Sequence, residues 1–181
     1  VHRRQRPQRI VLVGFMGCGK STVGAALARR LGWGFRDLDR WIEQRHRLTV
    51  AEIFRRHGEA FFRGEERRAA RAAARLRRHV VAAGGGAFAQ EGTRETLQAG
   101  AITVWIRCDA AVLRRRVPAD GSRPLAADRG RMRRLVGERE PFYRLADIAV
   151  DSSQAAPDEV AQRIAEAAFK GAPARRTAKK R

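Results

Sequence analysis

The sequence predicts an α/β protein built around a parallel sheet, and three observations carry that expectation. The run Ile10-Val11-Leu12-Val13 is apolar without alternation, as in a strand buried on both faces. It leads straight into the glycine-rich Gly14-Phe15-Met16-Gly17-Cys18-Gly19-Lys20-Ser21-Thr22, and a helical pattern follows from Val23. Short apolar strands then alternate with helical stretches to the end of the chain.

Strand, glycine turn and helix start, in that order, give the pattern G-x-x-x-x-G-K-[ST] its chemical meaning. The glycines let backbone N–H groups converge on phosphate oxygens, and the unpaired donors of the first helical turn add to that field. Lys20 is then placed to meet the β- and γ-phosphates, and the Ser21 hydroxyl to meet Mg²⁺. Gly17, Cys18, Gly19 and Thr22 complete the expected nucleotide cradle. The loop implies a bound nucleoside triphosphate and says nothing of the acceptor.

The helix from the loop should run to about Leu31, with Gly32 as its C-cap. Residues 33–36 read as a second strand, with Asp37-Leu38-Asp39 at its end, where open α/β sheets collect ligand-binding groups. Asp39 also reads as a helix cap before Trp41 and Ile42, and both roles are compatible. Thr49-Val50-Ala51-Glu52 is a capping box that opens a helix. His57-Gly58-Glu59 breaks it, and a second, Arg/Ala-rich helix should span about 60–78. Arg63 and Glu66, three apart, share a face of that helix; taken alone they read as a solvated pair. Phe61 and Phe62 cannot share a face, so one belongs to the core.

Residues 79–83 form a third strand that ends in Gly84-Gly85-Gly86. Three glycines in a row cost backbone entropy and mark a place where something approaches the main chain closely. No acid stands there, which raises the value of Asp37 and Asp39 for metal or substrate. A connection over 88–100 leads to a fourth strand at 102–106 and a helix carrying Val112 and Leu113. The hydrophobic rhythm lapses over 118–131, a Pro/Gly/Asp-rich interval with several arginines that reads as a lid over the phosphates. Residues 131–145 are helical, with Pro141 expected to start or kink a turn. A fifth strand at 148–150 and a last helix at 157–168 close the pattern.

The chain has 181 residues, 44% of them apolar, enough for one α/β domain with a core that needs no disulfides. Cys18 and Cys108 match no metal-ligand spacing and read as thiols of a reducing cytosol, so the expected location is cytoplasmic. No apolar run approaches the ~18 residues of a membrane span. The four histidines show no regular spacing and read as surface or strand-end residues. Net charge is +20, but residues 1–9 hold four arginines and residues 170–181 hold six Lys/Arg, with no acid in either stretch. Half of the excess thus lies in two ends outside the periodic pattern. Neither a zinc-finger nor an RNP pattern accompanies it, so no specific nucleic-acid partner is expected.

Phosphate loop, Asp-Leu-Asp, Gly58-Glu59 with Phe62-Arg63 and Glu66, triple glycine, Arg123-Pro124-Leu125 and Arg139 before Tyr143 occur in one order. The ordered set resembles the shikimate kinase family over about residues 9–169. The resemblance implies a three-layer α/β/α, nucleoside-monophosphate-kinase-like fold with a five-stranded parallel sheet in the order 2-3-1-4-5. It implies one domain over 9–170, with the phosphate loop at 14–22, a substrate-binding part at about 37–74 and a lid at about 117–131. Residues 1–8 and 171–181 would be basic arms. It further implies ATP-dependent phosphorylation of the shikimate 3-hydroxyl by a monomer with ATP and Mg²⁺. Asp39 would hold and activate that hydroxyl, and Asp37 would help place Mg²⁺. Arg63, oriented by Glu66, and Arg139 would bind the carboxylate, with Gly84, Gly85 and Gly86 along the ring. Arg123 would close from the lid, and Arg116 would frame the nucleotide near its adenine.

Two planar guanidinium forks suit a carboxylate, and the transfer needs charge neutralisation more than a strong base. Gly64 departs from good helix design, at about 1 kcal/mol relative to Ala. Residues 152–156 lack the adenine-side arginine of some members. The competing reading is a related small-molecule kinase, such as gluconate kinase, whose neutral polyol gives less reason for two converging arginines.

Overall fold

The computed structural model describes residues 7–116 and 129–169. Strands β1 (Arg9–Val13), β2 (Gly34–Asp37), β3 (His79–Ala82), β4 (Ile102–Arg107) and β5 (Ile148–Asp151) form one parallel sheet in the order β2-β3-β1-β4-β5. Helices α1 (Lys20–Leu31), α2 (Leu38–His46), α3 (Val50–Ala74), α4 (Glu91–Gln98), α5 (Ala110–Arg116), α6 (Arg129–Tyr143) and α7 (Pro157–Phe169) cover it on both faces. The three-layer α/β/α architecture and strand order are those expected. β1 is central and buried along its whole length, which explains its unbroken hydrophobicity. α1 packs on α7, and α3 packs between α2 and α4.

The register sets up the site. Asp37 lies level with Ala82, and Ala82 with Leu12, so β2, β3 and β1 end side by side. The acidic pair, the triple glycine and the phosphate loop, all following those strands, are therefore neighbours at one edge of the sheet.

Several elements differ from the sequence expectation. The two helices at 49–78 form α3, continuous in hydrogen bonding but kinked at Gly58 (φ 79°, ψ 173°), and it stops at Ala74. Buried Arg9 accounts for that end: its guanidinium donates to the carbonyls of Ala74 (2.5 Å), Leu76 (3.3 Å) and, after α4, Ala99 (2.6 Å). A cation here satisfies carbonyls at two helix ends. Arg9 is thus a structural residue and not part of a free basic arm. α6 runs through Pro141, which lacks the N–H that would reach back one turn, and ends two residues later at Tyr143. Phe62 is buried, whereas Phe61 is partly exposed and packs between His46 and His57. His46 corrects the surface reading of the histidines, because its Nε2 meets buried Glu65 at 2.9 Å.

Candidate active site

The phosphate loop takes its shape from Gly14, Gly17 and Gly19, all at positive φ. Gly14 also lies so close to β4 that a Cβ there would stand 2.7 Å from the Ile106 carbonyl oxygen. Lys20 Nζ donates to the carbonyls of Gly14 and Phe15, both at 2.9 Å, which parks the ammonium over the loop. Cys18 is buried; its carbonyl accepts from the Ser152 hydroxyl at 3.0 Å, tying the loop to the end of β5. Beside the loop opens a cavity of about 440 Å³, lined by Gly17, Cys18, Gly19, Lys20, Ser21, Thr22, Asp37, Asp39, Gly85 and Arg116, among others. Its size suits a nucleotide. The Ser21 hydroxyl donates to Asp37 Oδ2 at 2.5 Å. Asp37 is also the N-cap of α2, its Oδ1 accepting from the Arg40 amide at 3.2 Å, so the cap role belongs to Asp37 and Asp39 lies in the first turn.

A second pocket adjoins the first. Asp39, Arg63, Glu66, Gly85, Gly86 and Arg139 line it together with Met16, Val50, Phe54 and Phe62. Asp39, Met16 and Gly85 face both cavities. The glycine run is what lets these side chains meet. A Cβ on Gly84 would stand 2.6 Å from both Asp39 Oδ1 and Glu66 Oε1, and one on Gly86 would stand 2.4 Å from Arg63 Nη1. A Cβ on Gly85 would reach to 3.4 Å from Arg139 Nη1. The close approach expected at this stretch is made by the site's own charged side chains.

Arg63 and Glu66 form a buried pair, contrary to the solvated reading: Nη1 donates to Glu66 Oε2 at 2.7 Å, and the Glu66 side chain is 2% exposed. Gln90 Nε2 donates to the same oxygen at 2.9 Å. Burial pushes the Glu66 carboxyl above its ordinary value; the Arg63 charge pulls it back and neighbouring Asp39 adds to the rise. Burial works to lower the Arg63 pKa, but the Glu66 and Glu59 carboxylates outweigh it and hold the guanidinium firmly charged. Arg139 is buried with its guanidinium 5.7 Å from the centre of the Phe15 ring. One turn on, the Tyr143 hydroxyl donates to the Gly85 carbonyl, and burial drives its pKa far up, so it stays a donor.

All the sequence-derived site residues but two therefore line two joined cavities. Gly84 packs behind them against Asp39 and Glu66, and Arg123 lies outside the described residues, as does most of the expected lid. Arg116, at the end of α5, lines the nucleotide cavity. Gln90, Phe15 and Met16 were given no site role by the sequence, and Tyr143, named there only as part of the ordered set, proves to hold the Gly85 carbonyl. A lone Gln before a short helix carries no local signal, and Phe15 and Met16 sit at loop positions where the motif accepts any residue. Chemically, the arrangement can hold an anion between two guanidiniums and present a hydroxyl to Asp39 beside the phosphate loop.

Fold and site together define a phosphate-loop kinase acting on a small anionic acceptor. The shikimate kinase family model matches residues 16–168. The chain is 44% identical over 160 residues to the shikimate kinase of Bradyrhizobium diazoefficiens, covering 87% of this chain and 77% of that one. It is 44% identical over 165 residues to that of Moorella thermoacetica, covering 89% and 94%. Among solved structures, shikimate kinase from Acinetobacter baumannii in complex with shikimate superposes with a TM-score of 0.85 at 35% identity, over 88% of this chain and 91% of that one. A gluconokinase from Sinorhizobium meliloti, at 19% identity and a TM-score of 0.57 over 93% and 95% of the two chains, shares the fold alone. This chain belongs to the shikimate kinase family.

Proposed function

We propose that this protein transfers the γ-phosphoryl group of ATP to the 3-hydroxyl of shikimate, giving shikimate 3-phosphate and ADP for aromatic amino acid synthesis. The observation that carries the proposal is the position of Asp39. It faces both the phosphate-loop cavity and the pocket that holds Arg63 and Arg139. A ring whose carboxylate lies between those arginines can present a hydroxyl to Asp39 next to the γ-phosphate. The Acinetobacter baumannii relative, solved with shikimate, supports the choice of acceptor.

In this reading Asp39 accepts the hydroxyl proton as the new O–P bond forms and the bond from the γ-phosphorus to ADP breaks. Arg63 and Arg139 fix the carboxylate, Glu66 orients Arg63, and Gly84, Gly85 and Gly86 let the ring approach the backbone. Lys20 exchanges its two loop carbonyls for phosphate oxygens, and Arg116 frames the base. Arg123, in the segment 117–131, closes over the transferring group. Mg²⁺ fits the adjoining Ser21 hydroxyl and Asp37 carboxylate, a hard oxygen pair of the kind that shares the ion with phosphates and water. No cluster of three His, Cys, Asp or Glu exists among the described residues, and Mg²⁺ in such sites does not require one. Bound there, it would neutralise phosphate charge. The proposed domain is 9–170, consistent with the family match over 16–168. Among the described residues no helix is long and apolar enough to cross a membrane, and free Cys18 and Cys108 suit the cytoplasmic setting we propose.

ADP release with shikimate and with gluconate tests the acceptor. The parent should use shikimate. Arg63→Lys keeps the charge but loses the fork, so it should raise the KM for shikimate and spare that for ATP. Asp39→Asn should lower kcat chiefly. Preference for gluconate, or an unchanged shikimate KM in Arg63→Lys, would reject the carboxylate clamp.

A further inference from the structure

We propose that Glu59 stands in for the acceptor's carboxylate: it occupies the side fork of Arg63, and the acceptor's carboxylate displaces it. The inference rests on the shikimate kinase reading above. Glu59 Oε1 accepts from Arg63 Nε at 3.1 Å and from Nη2 at 2.6 Å, the two donors that form one edge of the guanidinium. Arg63 thus already holds two carboxylates, and they differ in kind. Glu66 is 2% exposed and tied to Gln90, so it is a fixture. Glu59 is 55% exposed and can swing into water at little cost. Glu59 and Arg63 are also an ordinary i,i+4 pair by spacing. What sets the pair apart is that Arg63, 17% exposed, faces the acceptor pocket.

Charge points to displacement. Asp39 and Glu66 already match Arg63 and Arg139 in number along the pocket, and Glu59 adds a third carboxylate on Arg63 itself. A further carboxylate is accommodated when Glu59 leaves. The pocket encloses about 40 Å³ and opens, past Met16, Asp39 and Gly85, into the cavity beside the phosphate loop. Glu59 directly follows the kink at Gly58, where nothing stands within 4 Å of the position a Cβ would take, so the backbone there is uncrowded. The half of α3 before the kink carries Val50 and Phe54 onto the pocket.

The test is calorimetric titration of shikimate, and separately of its methyl ester, into the nucleotide-free parent and Glu59→Gln. Removing the competing charge should lower the Kd for shikimate roughly two- to five-fold, the range that an ion pair of this exposure is worth. The uncharged ester has no claim on the fork, so its Kd should not fall. A shikimate Kd that stays the same or rises in Glu59→Gln would make Glu59 an orienting partner of Arg63 and overturn the displacement. Equal tightening for acid and ester would overturn it too. A parent that binds no shikimate would reject the acceptor assignment itself, which separates the two failures.

Discussion

A methyl group on Gly84 would collide with two carboxylate oxygens at 2.6 Å, those of Asp39 and Glu66. Glu66 is held by Arg63 and Gln90 and cannot yield freely, so the displacement should fall largely on Asp39. Gly84→Ala is therefore expected to lower kcat, on the order of 100-fold for a misplacement near 1 Å. Gly86→Ala crowds a different group, the Arg63 guanidinium, with Nη1 at 2.4 Å and Cζ at 2.9 Å. Losing one charged hydrogen bond to the acceptor, about 1.5 kcal/mol, should raise the KM for shikimate roughly tenfold. Steady-state kinetics in both substrates will separate the two variants. Similar kcat and KM effects in both would mean that the glycine run acts only through backbone flexibility.

At the level of elements, α3 carries most of the acceptor side. Its start is fixed by a capping box, with the Thr49 hydroxyl accepting from the Glu52 amide and Glu52 accepting from the Thr49 amide, while Glu43 of α2 accepts from the Val50 amide. The kink at Gly58 then redirects the helix so that Phe62, Arg63 and Glu66 face the pocket. Gly64 has no such reason to be glycine. It has helical backbone, and a Cβ there would meet only Arg67 Nη2 at 3.8 Å. Gly64→Ala should thus stabilise the protein by about 1 kcal/mol. A thermal melt should show the rise in Tm. A fall would mean that residues flanking Arg63 need the freedom glycine provides.

For the whole molecule, the excess positive charge and the kinase site should be separable. Removing residues 1–6 takes away Arg3, Arg4 and Arg6, and removing 172–181 takes away Arg175, Arg176, Lys179, Lys180 and Arg181. Retention on a polyanion resin should fall, because binding of this kind follows the number of neutralised charges. The kcat/KM for shikimate should stay close to that of the parent, since every site residue except Arg123 sits within 7–116 and 129–169. A large loss of kcat/KM would show that an end completes the enzyme. Arg9, by contrast, belongs to the fold, as its three carbonyl partners show.

The sequence by itself determined the phosphate loop, the parallel sheet and the presence of Asp37, Asp39 and the triple glycine at strand ends. Those features are local: unbroken hydrophobicity, glycine spacing and polar residues after a strand each report their own backbone. The strand order and the pairing of Arg63 with Arg139 came from resemblance to a family, because no periodicity encodes which strands are neighbours. The resemblance implied that Glu66 orients Arg63, but tertiary structure alone decided that the pair is buried, since a spacing of three fits a wet surface equally well. It likewise decided that Gln90 steadies Glu66, that Tyr143 holds the Gly85 carbonyl and that Arg9 stops α3. Each of those contacts joins residues more than 20 positions apart. Their partners come within hydrogen-bond reach only once β1, β2 and β3 end side by side.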